Sequence, residues 1–296
     1  MSRGSITAAV QSGRILVSDG AWGTFLQEKG LQAGECPELW CVDHPEAVLD
    51  IARSYVEAGA DMVETNSFGA SRFKLEHYGL AARVSEINEA AARLSRQAAG
   101  RDAWVIASVG PTGRLLLMGD TTEEDLFAVF AEQCQALERG GADALCIETM
   151  MAADEAAIAI RAARQTTRCE VICTFTFEKS QRGDYRTMMG TTPAEAVAAA
   201  LAAGAHVVGT NCGNGISGMI EIVREIRQAA PTTPILVHAN AGLPTTAADG
   251  RTIFPETPAM MAAQVPAVVA AGAGIVGGCC GTTPDHIRAI RAALKR

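Results

Sequence analysis

Eight short apolar runs recur along the chain, at 14–18, 61–64, 104–108, 144–147, 170–174, 206–209, 235–238 and 274–277, and helical patterns fill the intervals. Each run is brief and apolar on both faces, as in strands of a parallel sheet covered on both sides. An alternation repeated eight times leaves few architectures open. It predicts a single (β/α)8 barrel, α/β in class, with residues 1–296 forming one domain. The competing arrangement is an open doubly wound sheet. That fold usually carries a phosphate loop, yet no GxGxxG follows the first run and no Walker motif occurs.

Local signals agree with the alternation. Thr122 stands before EEDLFAVFAEQCQALERGG, with acids in the first turn, and Thr192-Pro193 and Thr283-Pro284 read as caps followed by an N-terminal proline. Gly59, Gly140, Gly204 and Gly272 read as the closing residues of four helices. A turn written Ala-Gly-Ala or Gly-Gly-Ala recurs at 58–60, 140–142, 203–205 and 271–273, each time leading into an apolar run.

The formal net charge is −8 and no basic cluster occurs, which argues against nucleic-acid or anionic-membrane binding. The longest apolar stretch, MMAAQVPAVVAAGAGIVGGCCG, contains Gln264, Pro266 and several glycines. It reads as a helix, a turn and a buried strand, not as a membrane span. The first residues lack a signal-peptide pattern. Nine cysteines in such a chain predict a reducing, cytoplasmic setting without disulfides. Cys134, Cys146, Cys169 and Cys173 sit inside apolar patterns and read as small buried groups.

In a barrel, chemistry gathers where the strands end. Here those ends carry Asp19-Gly20, Glu64-Thr65-Asn66, Gly110-Pro111-Thr112, Glu148-Thr149, Thr176, Asn211-Cys212, Asn240 and Cys279-Cys280. Cys212 closes the sixth run and Cys279-Cys280 the eighth, so three thiols converge on one mouth. Zinc favours tetrahedral sulfur and nitrogen ligands, and three protein ligands leave one position for substrate. Packed thiols and a nucleophilic cysteine are the other readings, and no histidine stands beside any of the three in sequence. Glycines frame the vicinal pair and follow Cys212, giving the backbone freedom to turn the thiols toward one point. His44, His77, His206, His238 and His286 show no metal-type spacing, though His238 stands where it could line the mouth; Trp22 and Trp40 could line a donor pocket, and packing is the preferred reading for both. The segment QRGDYRTMMG reads as a rim loop able to cover the mouth.

SDGAWGTFLQEKG, ADMVETNSFGASRFKLEHYGL, SVGPTGRLL, CIETM, GTNCGNG and GGCCGTTPDHI together resemble the zinc-dependent homocysteine S-methyltransferase family. That family includes the homocysteine modules of cobalamin-dependent methionine synthases and the betaine-dependent enzymes. The resemblance runs nearly the whole length of the chain. It implies that Cys212, Cys279 and Cys280 bind Zn2+ and that homocysteine adds its thiol as the fourth ligand. It also implies that Asp19, Gly20, Ala21 and Glu148 surround the amino-acid end of homocysteine and that Asn211 orients the ligand loop. The resemblance further implies methionine as the product.

The methyl donor follows less directly. No D-x-H-x-x-G corrinoid-binding motif occurs, so a methylcobalamin or other methyl-corrinoid is expected to arrive on a separate protein. An aromatic cage for betaine is not evident, since only 5% of residues are aromatic. Betaine or S-methylmethionine as donor, another thiol as acceptor, and a non-catalytic zinc-thiolate subunit are the alternatives left open.

Overall fold

The structure, a computed structural model, describes residues 4–246 and 252–295. All eight apolar runs form strands: β1 (Leu16–Val17), β2 (Met62–Glu64), β3 (Trp104–Val109), β4 (Ala144–Met150), β5 (Glu170–Phe175), β6 (Val207–Gly215), β7 (Ile235–Asn240) and β8 (Ile275–Gly278). They form one parallel sheet in the order β1-β8-β7-β6-β5-β4-β3-β2. The main helices are α1 (Pro45–Glu57), α2 (Val84–Ala99), α3 (Glu123–Gly140), α4 (Ala153–Thr166), α5 (Pro193–Ala203), α6 (Ile216–Ala229), α7 (Pro258–Ala271) and α8 (Pro284–Ala293). This is the (β/α)8 barrel.

The barrel closes at the β1/β2 seam around two aspartates, through one backbone bond and their carboxylates. Asp61 donates its backbone N–H to the Val17 carbonyl at 2.7 Å and accepts the Val17 N–H on its carboxylate at 2.8 Å. Two residues further on, the Asp19 carboxylate accepts the Glu64 N–H at 2.8 Å. Two aspartates thus stand in for a strand ladder.

Alternation along the strands splits the barrel interior into two layers. The lower layer is apolar: Leu16, Met62, Ile106, Cys146, Ile172, Leu236 and Ile275 pack together, and Ile6 from the short helix Ile6–Gln11 plugs them from below. The amides of Ile6 and Thr7 at the start of that helix bond the Glu170 carboxylate. The upper layer, two residues on, is polar: Ser18, Glu64, Ser108, Glu148, Thr174 and His238, all buried. Residues of opposite parity, such as Val17, Leu145, Val171, Val208 and Val237, join the larger core between sheet and helices.

Thr122 and Thr192 both form capping boxes, with Asp125 and Glu195. Gly59, Gly204 and Gly272 close their helices with positive φ. The third site differs from the sequence reading. Gly140 is the last helical residue of α3, and Gly141, at φ 109°, is the cap. Gly140 serves close packing instead, since a Cβ there would meet Ala92 Cβ at 2.6 Å on α2. The segment 181–190 belongs to a small hairpin, 178–179 with 185–186, on the rim after β5. A second hairpin, 245–246 with 252–253, follows β7. All nine cysteines are free thiols, and among the described residues no helix is long and apolar enough to cross a membrane.

Candidate functional site

Two irregular strands build the mouth. Between Asn211 and Gly215, β6 spends four residue steps where β7 spends two, from His238 to Asn240. The extra residues form a bulge that lifts Cys212 over the barrel end, with Cys212 in the left-handed region at φ 58°. β4 carries a smaller irregularity against β5 between Ile147 and Met150, and there Thr149 has φ 60°. Left-handed backbone in a non-glycine residue costs on the order of 1–3 kcal/mol and persists only where the surroundings hold it. Asn211 does the holding. Its Oδ1 accepts the Thr149 N–H at 2.8 Å and the Thr174 hydroxyl at 2.7 Å, and its Nδ2 donates to Thr149 Oγ1 at 2.7 Å and Glu148 Oε2 at 3.3 Å.

Cys279 and Cys280 lie just past the end of β8, where strand alternation no longer applies. The Cys279 N–H donates to Ala239 O at 2.7 Å, and Cys280 O accepts the Ala241 N–H at 3.0 Å. The glycines before the pair act through contact rather than through unusual φ. A Cβ at Gly278 would lie 2.2 Å from Thr282 Oγ1, and one at Gly277 would lie 2.7 Å from Ser18 Cβ. That closeness lets β1, β8 and Thr282 meet: Thr282 donates to Cys279 O at 2.7 Å and accepts the Ala21 N–H at 3.1 Å.

The three thiols therefore converge. The sulfurs of Cys212, Cys279 and Cys280 all lie within 4.8 Å of one another, and the Cys212–Cys280 distance is 4.0 Å. A tetrahedral zinc with Zn–S near 2.3 Å sets its sulfurs about 3.8 Å apart, so small adjustments would seat the ion. The electrostatics point the same way. Hydrogen bonds from Cys279 and Cys280 pull the Cys212 thiol down to about 3. The same sharing pushes Cys280 up to about 12 and Cys279 well above its ordinary value. One proton leaves easily and the other two are held, so three thiolates need a positive charge among them. Among the described residues, no lysine or arginine lines the cavity. The nearby Asn240 amide adds a small lowering of the Cys212 thiol, while its Oδ1 is buried without a partner. The donor set fits a thiophilic cation such as zinc.

The thiols open into a cavity of about 380 Å³ that also reaches Gly20, Ala21, Trp22, Glu64, Glu148 and His238. Ser108 donates to Glu148 Oε1. Burial pushes the Glu148 carboxyl up to about 7, and burial followed by the charge of Glu148 raises Glu64 well above the usual range. His238 Nδ1 faces Glu64 Oε1 at 3.5 Å. Burial holds the ring down to about 3, so the two meet as neutral groups rather than as an ion pair.

Of the residues singled out in the sequence, the three cysteines, Glu148, Gly20 and Ala21 border this cavity. Asp19 and Asn211 stand behind its wall, fully buried and hydrogen-bonded to the frame. Burial raises the Asp19 carboxyl to about 7. Trp22 lines the cavity and donates its Nε1–H to Asp19 at 3.0 Å, whereas Trp40 packs in the core with its ring 4.5 Å from that of His44. Glu64 reads in sequence only as one of several strand-end groups and His238 only as a residue able to line the mouth, and both border the cavity without a role assigned from sequence. Their signal was present, since each is the inward polar residue ending an apolar run.

The profile of the family described as homocysteine S-methyltransferase matches residues 16–294. The methionine synthase of Mycobacterium leprae is 33% identical over 301 aligned positions, covering 96% of this chain and 24% of that protein. That of Mycobacterium tuberculosis is 32% identical, covering 96% and 25%. The chain thus spans about a quarter of the length of these relatives. Among solved structures, the metallated homocysteine methyltransferase MmuM from Escherichia coli superposes with a TM-score of 0.78 at 25% identity, covering 96% of this chain and 98% of that one.

Proposed function

The chain belongs to the homocysteine S-methyltransferase family, and from that membership we propose that its barrel methylates homocysteine to methionine at a zinc site made by Cys212, Cys279 and Cys280. The observation that carries the reading is the convergence of three sulfurs within 4.8 Å, beside buried carboxyls and, among the described residues, with no cationic side chain on the cavity. Zinc bound there would lower the pKa of an incoming thiol, so that homocysteine reacts as a thiolate near neutral pH.

The protein's own residues do the rest. Ser108 and Asn211 fix the Glu148 carboxylate, which accepts the α-ammonium of homocysteine. The Gly20-Ala21 turn borders the space for the α-carboxylate, with Asp19 supporting it from behind. Trp22 and Phe68 flank the entrance and exclude water from the reacting sulfur.

The donor in this reading is a methyl-corrinoid carried outside the barrel. The methionine synthase relatives support it, and so does the rim. Phe68, Leu117, Met118, Met188 and Leu243 are large, apolar and exposed, and all sit in the strand-to-helix connections at the mouth, Leu117 and Met118 in a short 3-10 turn. Such a rim suits a bulky partner that docks over the mouth and leaves again.

The test begins with metal content. The purified protein should hold about one zinc per chain. The variant with Cys212, Cys279 and Cys280 all changed to Ala should hold none, lose activity and keep its circular dichroism. Methylcobalamin, free or protein-bound, should change its visible spectrum when homocysteine and the zinc protein are added. Retained zinc and activity in the triple variant would sink the site. An unchanged corrinoid spectrum, with methionine formed from betaine or S-methylmethionine, would replace the donor.

A further inference from the structure

One group of side chains at the mouth is left unexplained by the thiols. Glu64, Glu148 and His238 each bring one ligand atom to a common point, all within 4.8 Å of one another. Glu64 and His238 are only 7% and 1% exposed. Glu64 Oε1 and His238 Nε2 are sealed from solvent, and neither has a hydrogen-bond partner. A buried acceptor without a donor is costly, and a carboxyl more so. All three residues face the cavity, so the missing donor can come from a bound molecule.

Asp19 is the contrast. Its carboxylate takes the Trp22 Nε1–H at 3.0 Å, the Glu64 N–H at 2.8 Å and the Ser18 hydroxyl at 3.3 Å, and it is fully buried behind the cavity wall. Its acceptor capacity is spent on closing the barrel. An alkylammonium presents three N–H donors and one positive charge, so it needs three acceptors with negative character around it. Glu64, Glu148 and a neutral imidazole supply that set. The His238 ring keeps a lone pair because burial holds its protonation down to about pH 3.

We propose that Glu64 and His238 join Glu148 to form the socket for the substrate's α-ammonium group, and that Asp19 acts only as a positioning residue for the barrel seam. This rests on the homocysteine reading above. The socket makes the site selective for thiols that carry an amine at the far end, and Glu64 is its main specificity determinant.

The test compares homocysteine with 4-mercaptobutanoate, the same thiol acid without its amine, by titration calorimetry on the zinc-loaded protein. The wild type should prefer homocysteine. Glu64→Gln should cut that preference by about 10- to 150-fold, the scale of one charge-assisted hydrogen bond, and leave the amine-free thiol within about threefold. His238→Phe should cut it by roughly 2- to 10-fold, as for a neutral acceptor. Asp19→Asn should weaken both thiols alike. An unchanged preference in folded Glu64→Gln overturns the socket, and so does selective loss of preference in Asp19→Asn. Binding of neither thiol by the wild type sinks the homocysteine reading itself, a separate outcome.

Discussion

The floor and the mouth of the barrel are made by the same strands, two residues apart. Leu16 and Ser18, Met62 and Glu64, Ile106 and Ser108, Cys146 and Glu148, Ile172 and Thr174, Leu236 and His238 are paired in this way. The first member of each pair is apolar and packed against its counterparts on other strands. The second is polar, and the mouth layer holds crowded carboxyls, unpaired acceptors and two non-glycine residues at positive φ. Burial is nearly equal in the two layers, so burial does not separate stability from function here. What separates them is whether the buried groups find partners within the chain. The floor is complete in itself, whereas the mouth lacks donors and positive charge.

The sharpest way to break this comparison is to exchange the layers on one strand. Ile106→Asp places an unpaired charge in the floor, where nothing answers it. It should cost more than about 4 kcal/mol and leave little folded protein, as judged by circular dichroism. Ser108→Ala, two residues on, should fold with a loss within about 1.5 kcal/mol and instead weaken homocysteine binding, because Glu148 loses a donor. Equal damage from both changes would mean that the layers do not divide the work.

The floor was the easier layer to read. Short runs that are apolar on both faces announce it directly, and all eight form strands. Three cysteines at strand ends were legible for a similar reason, since a vicinal pair in a glycine frame is an uncommon core choice. Other features depended on contacts between distant residues. Asp19 reads as a mouth carboxylate until the seam shows that it accepts the Glu64 N–H. Gly277 and Gly278 read as flexible residues until the approach of Ser18 and Thr282 shows them to be thin instead. The bulge that turns Cys212 outward depends on Asn211 reaching Thr149 on another strand. Glu64 and His238 each end an apolar run in sequence, and their shared lack of partners in the fold is what distinguishes them from partnered strand-end groups such as Asp19.

A gentler test uses pH, which acts on the mouth and spares the floor. Asp19 and Glu148 have carboxyls raised to about 7 from ordinary values of 3.8 and 4.5, chiefly by burial. Between those limits the folded protein holds protons that the unfolded chain has lost. Their stabilising contribution is therefore full below about pH 4 and falls as pH rises toward 7, by at most about 1.4 kcal/mol per pH unit for each group. Ligand-free protein should lose urea resistance across this window, and Glu148→Gln should flatten the slope. A wild-type slope that Glu148→Gln leaves unchanged would assign the pH dependence to other groups.

The smallest effect is also the most pointed, because its sign runs against the usual direction. Most substitutions of buried residues destabilise. Glu64 is buried, raised in pKa by desolvation and by the charge of Glu148, and its Oε1 has no partner. Glutamine keeps the shape and removes the ionisable group, so the folded state no longer has to hold a carboxyl in a poor environment. Glu64→Gln should therefore stabilise the ligand-free protein by about 0.5–2 kcal/mol, or a few degrees in Tm, while it weakens homocysteine binding. The matching change in the floor, Met62→Ala, should do the reverse: it opens a cavity, costs about 2–5 kcal/mol and touches no ligand. Opposite signs two residues apart on β2 are expected if the mouth gives up stability for binding. Thermal unfolding of the two variants with and without homocysteine measures both. If Glu64→Gln lowers Tm without ligand, the Glu64 carboxyl already has a stabilising partner within the chain, and the contrast between the layers does not hold at that strand.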